Sequence, residues 1–128
     1  MNRIHNPASV APPSGLFSHG IEVPPNARWL AISGQVGTAP DGTVPPQLEA
    51  QAENAWRNIA AILGAAGMTL GDVVKVTAYL TRREDIAAYR AVRDRVLGEL
   101  RPASTLVVVS ALVRPEWLVE IEAIAAQA

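Results

Sequence analysis

Near its end the chain reads Leu118-Val119-Glu120-Ile121-Glu122-Ala123-Ile124-Ala125. Successive residues of a strand point to opposite faces of a sheet, so this pattern predicts a core strand in which Glu120 and Glu122 share one face. The alternate apolar residues take the other face and belong to the core. A carboxylate stays charged at a buried position only when it is paired or hydrogen-bonded. The face that carries the two glutamates is therefore expected to meet either water or a polar site.

Length and composition exclude several classes of protein. At 128 residues the chain is predicted to form a single domain, residues 1–128. Its net charge is −1 with scattered basic residues, which argues against a nucleic-acid partner. Cysteine is absent, and His5 and His19 lack metal-ligand spacing, so no metal site is expected. Without a signal peptide or an apolar run of membrane-spanning length, the expected location is cytoplasmic, with no membrane partner.

The rest of the chain divides into alternating strand and helix patterns. The predicted elements are an extended N-terminal arm (1–16), strands at 17–23 and 29–33, a helix from about 46 to 67, a strand at 72–80, a helix ending near 100, a strand at 105–111 and the last strand. Pro24-Pro25-Asn26 indicates a turn, so the first two strands are expected to pair as a hairpin. Gly67 is a predicted helix stop, and Thr81 to Glu84 has the sequence of a capping box. The β-branched residues of 105–111 favour a buried strand.

The order ββ-α-β-α-ββ predicts an α+β fold in which two helices cover one face of a mixed sheet. No helix is left for the second face, although its strands also carry valine, isoleucine and leucine. Exposing so much apolar surface on a monomer is unfavourable. We therefore expect the open faces of several chains to pack together in an oligomer.

Several segments together resemble the RidA family, also called YjgF or endoribonuclease L-PSP. They are Gly15-Leu16-Phe17-Ser18-His19, Ser33-Gly34-Gln35, Gln51 followed by Asn58, Ala65-Ala66-Gly67, Asp72-Val73-Val74-Lys75-Val76-Thr77, Arg101-Pro102-Ala103-Ser104 and Val119 to Ala125. The resemblance implies a chorismate-mutase-like fold, a homotrimer around a central barrel, and ligand clefts between subunits. It also implies hydrolysis of reactive enamines and imines to keto acids and ammonia, without a cofactor.

The resemblance assigns roles to particular residues of this chain. Glu120 matches a glutamate that holds the attacking water or the substrate amine, so it is the catalytic candidate, and Ser33-Gly34 match backbone that lines the cleft. Other matched positions differ from the family pattern. Ser104 replaces an arginine that clamps the substrate carboxylate, Phe17 replaces a tyrosine, Leu106 replaces a frequent cysteine, and Arg90 replaces an asparagine on the second helix. Phe17, Ser33, Gly34, Arg90, Ser104 and Leu106 are accordingly the predicted substrate-binding residues.

The second helix offers two candidate replacements for the missing arginine. Arg90 lies at the border of the apolar arc and could reach the pocket, or it could form an ordinary surface pair with Asp94. Arg93 falls inside the arc, where an arginine needs a partner or a path to water. Trp117, on the loop before the last strand, is the tryptophan most expected to line a cleft.

Three functions remain open from the sequence. The first is a deaminase-type hydrolase whose specificity is altered by Ser104. The second is a non-catalytic trimer that binds a metabolite, in which Glu120 has only a structural role. The third and weakest is an endoribonuclease, because the chain lacks a basic stripe.

Overall fold

The computed structural model describes residues 2–128, which contain six strands and two helices. The strands are β1 (Arg3–His5), β2 (Gly20–Glu22), β3 (Arg28–Val36), β4 (Val73–Leu80), β5 (Ala103–Val108) and β6 (Val119–Gln127), and the helices are α1 (Leu48–Ala65) and α2 (Ile86–Leu97). The predicted order ββ-α-β-α-ββ is thus confirmed for the part that starts at β2. The extended arm contributes the additional strand β1. None of the helices in this range is long and apolar enough to span a bilayer.

A mixed four-stranded sheet forms the centre of the fold, with the strand order β3-β6-β4-β5. Strand β6 is antiparallel to both of its neighbours, and β4 runs parallel to β5. Every second residue of β6 from Val119 to Ala125 is at most 2% exposed, and α1 packs against this side of β3 and β6. The alternation predicted for the last strand is therefore confirmed, with Glu120 and Glu122 on the other side.

The helix layer closes over the sheet with large apolar side chains. Burial of such groups is the main favourable contribution to folding. The fully buried ones include Leu48, Trp56, Ile59, Leu63, Tyr89 and Val92. Helix α1 ends as predicted near Gly67, which has a φ of +70° and donates its N–H to the carbonyl of Gly64 at 3.0 Å.

The predicted hairpin between the first two strands is wrong. Strand β2 pairs instead with β1, and β3 pairs with β6. The reason is length. Both β3 and β6 have nine residues and pair from Arg28–Gln127 to Val36–Glu120. Strand β2 has only three residues, so it can form backbone hydrogen bonds only with a short strand.

The capping box predicted at Thr81 is also wrong. The Thr81 N–H still bonds across the sheet end to the carbonyl of Leu118 at 3.3 Å, so the helical turn begins later. Arg82 and Asp85 then form an ion pair at 2.7 Å that brackets a single turn of 3-10 helix before α2. A capping box does occur at Thr69, which exchanges hydrogen bonds with the turn that ends at Asp72.

Strand β5 was predicted to be buried, but it lies at the sheet edge and is partly exposed. Val107 and Val108 are 39% and 43% exposed. On the side of the sheet away from the helices, Trp29 and Ile124 are 60% and 40% exposed. We call this side, which carries Trp29, Tyr79, Val107, Glu120, Glu122 and Ile124, the open sheet face. Its apolar exposure agrees with the expectation that other chains cover it.

Candidate functional site

The Glu120 carboxylate lies over the backbone of Gly34. The pairing of β3 with β6 is irregular between Ile32 and Gln35, which places Ser33-Gly34 in a bulge opposite the start of β6. A Cβ atom added to Gly34 would lie 2.0 Å from Oε2 of Glu120. The absence of a side chain at position 34 therefore makes the space that this carboxylate occupies, a common use of glycine in a strand.

The two glutamates of the open sheet face have different surroundings. Glu122 accepts a hydrogen bond from the Tyr79 hydroxyl, and this bond raises the pKa of Tyr79. Within residues 2–128, by contrast, no side chain or backbone N–H donates a hydrogen bond to the carboxylate of Glu120. Glu120 is half-buried and thus has acceptor capacity left for a water molecule or a ligand.

The remaining predicted site residues of the sheet belong to a second group, at the beginning of β5. The N–H of Ser18 donates to the carbonyl of Pro102 at 3.2 Å, and Ser18 forms a parallel bridge with Ala103. This parallel pairing places Phe17 level with Pro102, at the beginning of β5. The register of β5 with β4 places Ser104 next to Val76 and Leu106 next to Ala78, and both partners are core residues. Leu106 itself packs against the core.

Within one chain, Glu120 with Ser33-Gly34 lies apart from the group at the beginning of β5. Ser104 is level with Ala123 through the pairing of both with Val76. It is therefore separated from Glu120 by about 10 Å along the strands and about 10 Å across two strand spacings. The two residues also lie on opposite faces of the sheet. Four cavities of about 230 to 340 Å³ on the described surface are lined by other residues, so none of them contains Glu120 or Ser33-Gly34.

The two candidate arginines of α2 have contrasting positions. Arg90 is exposed, and Asp94, its possible partner one turn later, instead bonds to Arg93. Arg93 is only 6% exposed, and its Nε and Nη2 atoms donate to Oδ1 of Asp94 at 3.1 and 3.0 Å. The expectation that an arginine inside the apolar arc needs a partner is thus confirmed. The alternative of a surface pair between Arg90 and Asp94 is not observed within residues 2–128.

Two features near the start of β6 were not predicted from the sequence. Tyr79 was not singled out, although its place in β4 puts it directly beside the glutamates of β6. Arg114 was also missed. Its guanidinium lies 5.7 Å from the ring centroid of Trp117, a cation–π contact, and both residues line cavities of about 340 and 230 Å³. The signal available in the sequence was an arginine three residues before a tryptophan in a proline-containing loop.

The chain is similar to known proteins over nearly its whole length. The family model described as Endoribonuclease L-PSP matches residues 8–127. A RutC family protein of Pyrococcus horikoshii is 39% identical over 115 residues, 88% of this chain and 88% of that protein. The 2-iminobutanoate/2-iminopropanoate deaminase of Escherichia coli (strain K12) is 32% identical over 123 residues, 93% of this chain and 90% of that protein.

Solved structures share the same architecture. The conserved Rid family protein YyfB from Yersinia pestis superposes with a TM-score of 0.87 at 32% identity, covering 98% of each chain. Escherichia coli TdcF with bound serine superposes with a TM-score of 0.75 at 28% identity, covering 98% of this chain and 99% of that one. The predicted fold, two helices on one face of a mixed sheet, is confirmed by these structures.

Proposed function

The chain belongs to the endoribonuclease L-PSP (RidA/YjgF) family, and on that basis we propose that it is a small-molecule hydrolase of the deaminase type. Its substrate is an enamine or imine, and its products are a carbonyl compound and ammonia. The observation that carries the proposal is the Glu120 carboxylate, which lies over the Ser33-Gly34 bulge and has no hydrogen-bond donor among residues 2–128. The 32% identity to a 2-iminobutanoate/2-iminopropanoate deaminase supports the reaction class.

In the proposed reaction Glu120 orients a water molecule and accepts one of its protons. The water oxygen bonds to the imine carbon, and the electron pair of the C=N bond moves to nitrogen, which takes up a proton. The hydroxyl proton of the resulting tetrahedral adduct then passes to the amine nitrogen, and ammonia leaves as the C–N bond breaks and the C=O bond forms. Proton transfer by a positioned carboxylate typically contributes about 10²- to 10⁴-fold to the rate.

We place the reaction in a cleft between two subunits of a trimer. Glu120 lies on the open sheet face beside Gly34, whereas Ser104 is on the opposite face in the edge strand β5. Phe17 adjoins the bridge that joins Ser18 to this edge strand. In this proposal a second chain packs on the exposed apolar groups of the open sheet face. Its Phe17 and Ser104 then lie near Glu120 of the first chain. The same contact would remove Trp29 and Ile124 from water.

The specificity of this site is proposed to differ from that of relatives with an arginine at position 104. Ser104 can offer one hydrogen bond but no charge, and Phe17 lacks a hydroxyl group. Serine bound to TdcF supports a ligand of amino-acid size for this fold. The altered positions favour a substrate with a short apolar portion, because Phe17 and Leu106 are both apolar.

Ammonia release from 2-iminobutanoate generated in situ tests the activity. The wild-type chain is expected to accelerate release above the buffer rate, and Glu120→Gln is expected to lose about 10²-fold or more of that acceleration. A wild-type rate equal to buffer would reject the deaminase proposal for this substrate. An unchanged rate in Glu120→Gln would reject the role of the carboxylate.

One observation favours a second candidate, a trimer that binds a metabolite without turnover. Ser104 and Phe17 together remove both a cation and a hydroxyl from the positions expected to hold the substrate. In that case 2-oxobutanoate would raise the melting temperature, since a ligand that binds only the folded state stabilises it, while no imine hydrolysis would be detected.

A further inference from the structure

Arg93 is a buried cation whose hydrogen bonds are incomplete. Its side chain is 7% exposed, and a guanidinium has five N–H donors. Within residues 2–128, two of these donors bond to the same oxygen of Asp94. The remaining three, on Nη1 and Nη2, have no acceptor there. Nη1 is not among the fully buried unpaired atoms of the described residues, so its donors face solvent and are accessible to an additional acceptor.

The surroundings of Arg93 leave room for that acceptor. A Cβ atom added to Gly15 would lie 3.9 Å from Nη2 of Arg93 and 3.6 Å from two ring carbons of Phe17. Gly15 is itself exposed. The guanidinium and the Phe17 ring therefore border the same solvent-accessible place, where position 15 contributes no side chain.

We propose that Arg93 binds the carboxylate of a small ligand whose apolar part lies against Phe17. The planar fork of arginine matches the two oxygens of a carboxylate, and Asp94 fixes the fork by holding its other edge. The contacts with Gly15 and Phe17 indicate a short ligand with an apolar chain, such as a 2-oxo acid. Identification of this ligand with the substrate rests on the proposed function, whereas the carboxylate site does not.

The position of Arg93 also bears on the loss of charge at position 104. The parallel bridge of Ser18 with Ala103 places Phe17 level with Pro102, two residues before Ser104, and Arg93 lies on α2 near Gly15 of the same segment. A cation is thus supplied by the helix where the strand residue is neutral. Arg90 is exposed and approaches none of these residues in the hydrogen-bond and ion-pair pattern of the described chain, so the geometry favours Arg93.

Calorimetric titration with 2-oxobutanoate and with its uncharged methyl ester tests the site. For wild type we expect binding of the acid to exceed that of the ester. Arg93→Gln should weaken binding of the acid about 10- to 100-fold, as expected for loss of a charge-assisted pair, and leave binding of the ester unchanged. Arg95→Gln is the matched control, since Arg95 is an exposed arginine of the same helix that pairs with Glu53, and it should bind like wild type.

Gly15→Leu provides a second variant in case Arg93→Gln does not fold. Gly15 is exposed and does not have a positive φ, so a leucine there should leave the core intact while covering the guanidinium and reducing binding of the acid. The proposal is overturned if Gly15→Leu and folded Arg93→Gln both bind the acid like wild type, or if Arg90→Gln abolishes binding instead. Wild-type binding of the acid without imine hydrolysis would reject the enzymatic function but retain the carboxylate site.

Discussion

At the scale of single residues, the neighbours of two similar glutamates determine what each can do. Glu122 accepts a hydrogen bond from the Tyr79 hydroxyl, so its carboxylate already has a partner within the sheet. Glu120 lies beside a glycine instead of a side chain that could hydrogen-bond to it. A carboxylate that is positioned but not saturated can still accept a proton from a bound water, which is what the proposed hydrolysis requires.

The space above Gly34 gives the first prediction. Gly34→Ala introduces a methyl group 2.0 Å from the present position of Oε2 of Glu120, so the carboxylate must move. Because the carboxylate is the flexible end of its side chain, we expect unfolding free energy to change by no more than about 1 kcal/mol. Imine hydrolysis should fall at least roughly tenfold, since small misplacements of a catalytic group are costly.

The control for this prediction is Gly64→Ala in α1. Among the described residues, no heavy atom other than those of its chain neighbours and of the helix's own backbone lies within 4 Å of a Cβ added there. Alanine favours a helix over glycine by about 0.5–1 kcal/mol. Gly64→Ala should therefore be slightly more stable and equally active. Full activity of Gly34→Ala in the ammonia assay would show that the position of the carboxylate does not matter.

The shared face of Glu120 and Glu122 was predictable, because it depends only on the alternation of one strand. Which of the two bonds to Tyr79 was not, since Tyr79 comes from a strand far away in the sequence and its partner depends on the register of β4 with β6. Arg93 is an intermediate case. Its inward position followed from helical spacing, but its contact with the adjacent Asp94 depends on side-chain conformation.

At the scale of elements, Gln51 joins α1 to two loops. Its side chain is fully buried, and its Nε2 donates to the carbonyls of Pro45 and Glu116 at 2.8 and 2.9 Å. Its Oε1 accepts from the N–H of Leu118 at 2.9 Å. One side chain thus sets the entry of α1 and the approach of the chain to β6, just before Glu120.

The second prediction concerns this connection. Gln51→Leu has a similar size but leaves three partly buried backbone groups without their hydrogen bonds, so the free energy of unfolding should fall by about 1–3 kcal/mol. Gln47→Leu is the control, because Gln47 is exposed and its side chain does not cap α1. Urea denaturation at one fixed protein concentration compares the two variants with wild type. Equal stability of both would mean that water replaces the lost hydrogen bonds.

Long elements were predicted from the sequence more accurately than short ones. Helix α1 and strand β6 are long enough for periodicity to identify them. Strand β1 has three residues and exists only because β2 pairs with it, which no local pattern reveals. The start of α2 was misplaced for a similar reason: the Thr81 N–H bonds to Leu118, and that long-range bond prevails over a local capping pattern.

The hydrogen bond between Tyr79 of β4 and Glu122 of β6 gives the third prediction, which concerns the pH dependence of the free energy of unfolding. The bond to Glu122 raises the pKa of Tyr79 above 10.0, so the folded state holds this proton more tightly than the unfolded state. The stabilisation is complete below pH 10 and is lost as pH rises through the folded-state pKa. Tyr89 acts in the same direction, since burial raises its pKa.

Urea unfolding at increasing pH, followed together with tyrosinate absorbance, measures this effect. The free energy of unfolding should decrease above pH 10, and Tyr79→Phe should show a shallower decrease because only Tyr89 still contributes. A decrease in Tyr79→Phe as steep as in wild type would contradict the role of the bond between Tyr79 and Glu122.

At the scale of the whole molecule, the sheet is covered on one side only. Trp29, Val107 and Ile124 remain exposed on the open sheet face, although 49% of the residues are hydrophobic. This imbalance was readable from the sequence, because two helices can cover only one face. The same arrangement places Glu120 on a surface that another chain is proposed to cover, so assembly and activity are linked in the proposed trimer.

Complementation between two inactive variants tests this link. Glu120→Gln keeps Arg93, and Arg93→Gln keeps Glu120, so each homotrimer lacks one part in all its clefts. If each cleft takes these two groups from different chains, about a quarter of the clefts in randomly mixed trimers regain both. We therefore expect a 1:1 mixture that is unfolded and refolded together to recover about a quarter of wild-type activity. Each variant refolded alone should stay inactive, and sedimentation should show species of three 13.6 kDa chains. If both groups act within one chain, the mixture will gain nothing.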